Sequence, residues 1–463
     1  MIVMKFGGTS VGDADRMAHT ARLVTTTAPQ PVAVVVSAMA GVTNALIETA
    51  RLAAENHIPG YQEKIAFLRE KHLAAARSLL PQSEQEAAEG FIEERLAELG
   101  SLCGSVSLLG EVSVRALDRI AGLGEKLSAY LLAANLRAQG EAARYIDASE
   151  VLVTDSVFGG ASPLMTETRA RAQSQVVPLL ASNTIPVITG YIGADRNGVP
   201  TTLGRGGGDY SAAIFGAAMD AEEVWIWTDV DGILTADPKI VPYARTLSEL
   251  TYVEAAQLAY FGAEVLHAKT VRPLVERDIP LRIRNTFNPE HPGTLIVGRS
   301  QRRDSGPRAI ITSKDLSAIA VVGNNEGWSP AISARALDAL SRAGAEVLMF
   351  GQSFVDKTVS LLVRGQDTEH SVRVLQREFE EELRQGAVRE VTVQRPVASV
   401  SVVGAAADDS FSLASRTFAA LGKQRTPVLS IAQAYSEYNV TFVVPQASVD
   451  DTVRFIHAEL GLG

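Results

Sequence analysis

Lys5 ends a short apolar run and stands directly before Gly7, Gly8, Thr9 and Ser10. A glycine turn that opens a helix aims backbone N–H groups at whatever lies above it, and the helix dipole favours an anion there. With a mobile ammonium alongside, such a turn suits a phosphate; a tight strand-to-helix turn with an incidental lysine is the plainer alternative. It is not a Walker A loop, in which Lys and Ser/Thr follow the second glycine. A second glycine turn, Leu203-Gly204-Arg205-Gly206-Gly207-Gly208-Asp209, carries one guanidinium and one carboxylate. An acid where a dinucleotide turn has its third glycine would repel a pyrophosphate. Arg205 and Asp209 instead match the two ends of a zwitterion, because guanidinium grips a carboxylate bidentately and a carboxylate accepts from an ammonium. A flexible surface loop is the competing reading.

Three further segments offer polar groups at strand or helix ends. Residues 37–44 (SAMAGVTN) present the Ser37 and Thr43 hydroxyls after an apolar run, as ligand groups at a strand end or as helix caps. Gly124-Glu125 places an acid at a helix start, again as cap or as ligand. Residues 227–239 (WTDVDGILTADPK) contain Thr228, Asp229, Asp231, Asp237 and Lys239. These acids suit a nucleotide pocket with magnesium nearby, or are turn-forming aspartates; the spacing is wrong for a calcium loop. Cys103 is the one cysteine, and His57 and His267 lack ligand-spaced partners. An intramolecular disulfide and a thiolate zinc site are thereby excluded.

The elements that must position these groups follow from periodicity. Continuous apolar runs at 2–6, 32–37, 185–192 and 224–228 predict strands buried on both faces of a parallel sheet. Helical patterns at 16–27 and 130–139 alternate with them, which predicts a three-layer α/β domain over residues 1–300. Residues 62–121, rich in Ala, Leu, Glu and Arg, predict a helical excursion. A polar, Gly-Pro-punctuated stretch predicts a linker at 301–314. Beyond it the chain repeats: Gly323 and Gly404, Gln352 and Gln433, and Val363 and Val444 are each 81 residues apart. Two copies of one strand-helix-strand-strand-helix unit are expected, at 315–394 and 395–463, with helices near 330–343, 368–384, 410–424 and 448–460. The strand at 388–394 can close either sheet, so the copies are expected to interleave.

The 463 residues carry 43 Lys and Arg against 53 Asp and Glu, a formal charge of −10, with 46% hydrophobic and 21% charged residues. This balance fits about three globular domains and excludes a disordered, collagen-like or disulfide-stapled chain. It gives no support for nucleic-acid or membrane-surface binding. No apolar run reaches the roughly 18 residues of a membrane span, and the start lacks the features of a secretory signal. A cytoplasmic location is expected.

Taken in order, KFGGTSVG at 5–12, SAMAGVTN at 37–44, GEKLSA at 124–129, TTLGRGGGD at 201–209, WTDVDGILTADPK at 227–239 and RIRNTFNPEHPGTLI at 282–296 resemble the aspartate kinases of the amino-acid kinase family. The repeats look like paired βαββαβ-type ACT regulatory modules. The resemblance implies an open, mostly parallel amino-acid kinase fold, ATP with Mg2+, and phosphorylation of the L-aspartate side chain to 4-phospho-L-aspartate. It implies that Lys5 neutralises the transferring phosphoryl group, with Gly7, Gly8 and Ser10 in the phosphate turn. Arg205 would clamp the substrate α-carboxylate, Glu125 and Asp209 its ammonium, and Ser37 and Thr43 would orient it. Thr228, Asp229 and Lys239 would fall on the ATP side. Feedback by lysine or threonine is implied through Gln352, Ser353, Gln433, Ser436, Glu437 and Asn439, as is a homodimer formed through the ACT modules. Because the chain ends after the second repeat, a monofunctional enzyme without a homoserine dehydrogenase domain is expected. The chain departs from the family pattern at Gly208 (commonly Ser), Leu234 (frequently Tyr), Glu264 (commonly Lys), and Ala434 and Tyr435 (smaller residues). The alternatives are a kinase for glutamate or acetylglutamate, and a ligand sensor with a decayed kinase domain.

Overall fold

The computed structural model describes residues 1–27, 31–260, 268–299, 306–324, 328–404, 410–433 and 439–463. The chain divides into two compact units.

The first unit is built on eleven strands: β1 (Ile2–Phe6), β2 (Val32–Val36), β3 (Ala143–Ile146), β4 (Val153–Thr154), β5 (Ile185–Thr189), β6 (Ile192–Asp195), β7 (Pro200–Thr202), β8 (Glu223–Thr228), β9 (Glu249–Thr251), β10 (Leu281–Asn285) and β11 (Thr294–Val297). Eight of them form one sheet in the order β3-β5-β2-β1-β8-β10-β11-β9. All its pairings are parallel except β10 with β11. Both β1 and β2 are buried at every residue, as their unbroken apolar runs require. Ile2, Met4 and Phe6 share a core with Met17, Val24, Leu127 and Leu131. Strand alternation sends Lys5 to the opposite face, toward the helix Gly207–Ala218. The helical excursion comprises Ile58–Leu79, Gln82–Leu109 and Val114–Ala121.

The apolar run at 185–192, expected as one strand, is two. The chain turns at Gly190-Tyr191, where Tyr191 has φ +68°, and β6 joins β4 and β7 in a separate three-stranded sheet. A bulky residue with positive φ is an outlier held by its surroundings.

The second unit is a six-stranded sheet in the order β13-β14-β12-β15-β17-β16, from β12 (Pro307–Gly323), β13 (Val347–Ser353), β14 (Thr358–Arg364), β15 (Val388–Gly404), β16 (Ser430–Gln433) and β17 (Asn439–Pro445). Two 17-residue strands, β12 and β15, pair antiparallel along most of their length. The 316–322 half of β12 pairs with β14, and the 397–403 half of β15 pairs with β17. The 388–394 half of β15 closes the first repeat's sheet and the 309–313 half of β12 closes the second's, and each repeat keeps its own apolar core.

Two expected boundaries move. Residues 307–314 are strand rather than linker: consecutive Ala309, Ile310 and Ile311 are all buried and pair with β15; 300–305 lie outside the described residues. The segment Leu234–Arg245, inside the expected 1–300 domain, belongs to the second unit. Its Ala236, Ile240 and Val241 fill the core of the second repeat with Phe442 and Ile456, and Thr235 Oγ1 bonds His457 Nε2 at 2.9 Å. Among the described residues no helix is long and apolar enough to cross a membrane.

Candidate active site

In open parallel sheets ligands sit outside the carboxyl ends of the strands. There the first unit forms a cavity of about 550 Å3, lined by Lys5, Gly8, residues 37–41, Thr43, Asn44, Glu125, Gly159, Tyr191 and the turn Gly204–Asp209. Six sequence segments spread over 205 positions meet in it.

Lys5 is 9% exposed and its Nζ lies 2.5 Å from Asp209 Oδ1. Asp209 belongs to the first turn of the helix Gly207–Ala218. One oxygen of its carboxylate is thus engaged with the lysine. Glu125 is the acid left over. It stands in the first turn of the helix Leu123–Ala138, is 4% exposed, and its Oε2 has no hydrogen-bond partner among the described residues. Burial pushes its carboxyl up to about 8, because desolvation disfavours the charged form. Gly124 is what brings this helix so close: a Cβ there would sit 2.7 Å from Ala38 Cβ. Arg205 is exposed at the rim, and no carboxylate among the described residues pairs with it. Ser37 and Thr43 line the cavity as expected.

The departure at Gly208 has a steric reason. A Cβ there would fall 2.8 Å from Ser37 Oγ and 3.2 Å from Lys5 Cε, so the bare backbone makes room for both groups.

Other expected residues are placed differently. Ser10 is fully buried; its hydroxyl bonds Thr286 Oγ1 at 2.7 Å, and it is not among the residues that line the cavity. The Gly7 N–H donates to Trp227 O, leaving Gly8 as the turn glycine at the cavity wall. Thr228 Oγ1 donates to Asp229 Oδ1 at 3.3 Å, at the end of β8, while Asp231 accepts from Asn285 and Asn288. Lys239 is exposed and falls in the segment assigned to the second unit, so it is not among the groups that the first unit gathers. No group of three His, Cys, Asp or Glu side chains converges on a metal site among the described residues. Leu234 also falls in that segment; Glu264 and His267 lie outside the described residues.

In the second unit, Gln352 and Ser353 end the edge strand β13, and Ser353 Oγ donates to Asp356 Oδ2 at 2.8 Å. Asn439 opens β17 and is buried. Ala434, Tyr435, Ser436, Glu437 and the Gln433 side chain lie outside the described residues.

Tyr191 and Gly159 line the cavity and were not found from the sequence. A left-handed tyrosine has no local signature, and Gly159 carries no chemistry of its own.

The amino acid kinase family model matches residues 1–285, and an ACT domain model matches 319–379 and 400–460. The chain is 31% identical to aspartokinase 2 of Arabidopsis thaliana over 98% of this chain and 83% of that one. It spans 50–56% of the length of the bifunctional aspartokinase/homoserine dehydrogenases it also matches, including that of Haemophilus influenzae. Crystal structures of E. coli aspartokinase III resemble it at 30% identity. One, with aspartate and ADP (R-state), has a TM-score of 0.81 and covers 100% of both chains. Another, with lysine and aspartate (T-state), has a TM-score of 0.82 and covers 99% of both. With a parallel sheet carrying the charged cavity and a paired ACT sheet behind it in sequence, the chain belongs to the amino acid kinase family, and within it to the aspartokinases.

Proposed function

We propose that this chain is an aspartate kinase, transferring the γ-phosphoryl group of MgATP to the side-chain carboxylate of L-aspartate. The observation that carries the reading is a pair of ionisable groups in the cavity, Glu125 and Arg205, that no side chain of opposite charge engages among the described residues. With Lys5 and Asp209 engaged with each other, Glu125 and Arg205 are left to receive an ammonium and a carboxylate. A free amino acid satisfies both; an N-acylated one leaves the buried Glu125 unpaired, which is costly.

The chemistry asks for no general base. The aspartate side chain, with an unperturbed pKa of about 3.9, is already ionised at neutral pH. One carboxylate oxygen attacks the γ-phosphorus, the bond from phosphorus to the bridging oxygen breaks, and ADP leaves with the electron pair. What remains is alignment and charge. Lys5, fixed by Asp209, meets the negative charge spread over the transferring oxygens without reorganising. Mg2+ enters as part of the nucleotide. Thr228, Asp229 and Lys239 are assigned to the nucleotide side on the resemblance.

Regulation is assigned to the second unit, with lysine or threonine as effector and Gln352, Ser353, Gln433, Ser436, Glu437 and Asn439 as contacts. Two chains are proposed to pair through it, and the cytoplasm is the proposed compartment. Support comes from the relative solved with lysine.

Hydroxylamine trapping of the acyl phosphate tests the reading. Aspartyl hydroxamate is expected to form with ATP and L-aspartate, and to fall when lysine or threonine is added. Absence of product with aspartate, or faster product with glutamate or acetylglutamate, overturns the substrate assignment. Indifference to both effectors overturns the regulatory one.

A further inference from the structure

We propose that Asp118 is a positioning residue for the amino-acid substrate, fixing from behind three parts of the cavity wall. It stands on the helix Val114–Ala121, whose start is capped by Ser113 Oγ accepting from Ala116 N. The residue is 4% exposed, and no cation among the described residues pairs with it. Hydrogen bonds alone meet its charge. Oδ2 accepts from Gly159 N at 2.9 Å and Thr202 N at 3.0 Å, and Oδ1 accepts from Thr202 Oγ1 at 2.6 Å. Charge-assisted bonds of this kind are strong and directional.

These donors belong to segments 41 and 84 residues away, and both lead into the cavity. Gly159 lines it directly. Thr202 ends β7 and is followed by the turn that carries Arg205. The two loops meet: a Cβ on Gly204 would sit 3.1 Å from Gly159 O. A third link lies one residue on, where Leu203 N–H donates to Tyr191 O at 2.9 Å. By holding Thr202, Asp118 thus also steadies the strand end that carries the Tyr191 part of the wall, which stands at positive φ. Mere packing asks for neither a charge nor three donors from two loops that both touch the ligand space. The role assigned here is to set where Arg205 meets the substrate, so it governs aspartate saturation and leaves the phosphoryl-transfer machinery alone.

This assignment rests on the aspartate-kinase reading, and kinetics of the full-length protein separate the two. Asp118→Ala leaves buried donors unmet and is expected to raise the aspartate KM about tenfold, with kcat and the ATP KM within about threefold of the parent. Asp118→Asn is expected to restore most of the loss: its oxygen accepts the two N–H groups and its amide donates to Thr202 Oγ1. Thr202→Val, which keeps the backbone donor, is expected to raise the aspartate KM by a smaller factor; it serves as the deciding variant where Asp118→Ala does not fold. An unchanged aspartate KM in folded Asp118→Ala, or in Thr202→Val when only that variant folds, overturns the assignment. So does an equal rise in both substrates' KM values. If the parent enzyme itself leaves aspartate unphosphorylated, the functional reading falls, and this assignment falls with it.

Discussion

The two units bury different chemistry. Among the described residues, the first unit buries Lys5, Asp118, Glu125, Asp195 and Glu254, whereas the polar groups buried in the second are hydroxyls, Asn439 and His457. Burial holds His457 below the usual histidine range, which keeps it neutral. The charges of the second unit sit in water-facing pairs such as Arg335 with Glu378 and Glu382. Removing a charge from water costs several kcal/mol unless partners meet it. Two of the five, Lys5 and Glu125, line the cavity, where a ligand can meet them; Asp118, Asp195 and Glu254 are met by hydrogen bonds from the protein itself.

Breaking the charged set is expected to have effects that breaking the neutral unit does not. The largest is at Lys5. Lys5→Ala is expected to lower kcat about 10²- to 10³-fold with little change in the aspartate KM, measured in steady-state assays; a loss below tenfold would mean that the buried ammonium is structural. Next is Arg205→Ala. Losing a charge-assisted clamp is expected to raise the aspartate KM about 10- to 100-fold at nearly constant kcat, and an unchanged saturation curve removes Arg205 from the site.

The third concerns pH. Glu125 in the free protein is pushed up to about 8, so it is mostly protonated at neutral pH. A substrate ammonium favours its ionised form, so its pKa falls in the complex and binding releases a proton. Aspartate affinity is therefore expected to rise with pH by up to about tenfold per unit below about 8 and to level off above it. Calorimetry in buffers of different ionisation enthalpy counts the proton directly. In Glu125→Gln the slope is expected to vanish; a persistent slope assigns it elsewhere.

The smallest effect is expected in the second unit. Arg335→Ala breaks pairs that are 40% exposed on the arginine side and is expected to cost no more than about 1 kcal/mol in denaturant unfolding. Turnover without effector should not change. A larger loss would show that this surface network, too, is doing a buried charge's job.

Much of this site was legible because its groups sit beside glycines at strand ends. Lys5, Ser37, Glu125 and Arg205 each follow or precede a turn whose chemistry is local, and the 81-residue repeat foretold the paired modules. What escaped was decided at a distance. Ser10 looked like a phosphate ligand, yet a hydroxyl 276 positions on takes its hydrogen bond. Asp209 looked like half of a zwitterion clamp, yet the lysine at the other end of the unit's sequence engages one of its oxygens. Asp118 stands in an ordinary helical run, and the amides that give it meaning lie far along the chain. Tyr191 sat within an apolar run that read as uninterrupted strand; nothing in that run announces a reversal.

The excursion of Leu234–Arg245 into the second repeat bears on any attempt to dissect the protein. Cutting at residue 300 would leave the leading fragment with Ala236, Ile240 and Val241 stripped of their cover. The trailing fragment would open a hole beside Phe442 and Ile456. Each piece would lose part of that core, so the proposed activity and the proposed regulation are better separated by point substitution than by truncation.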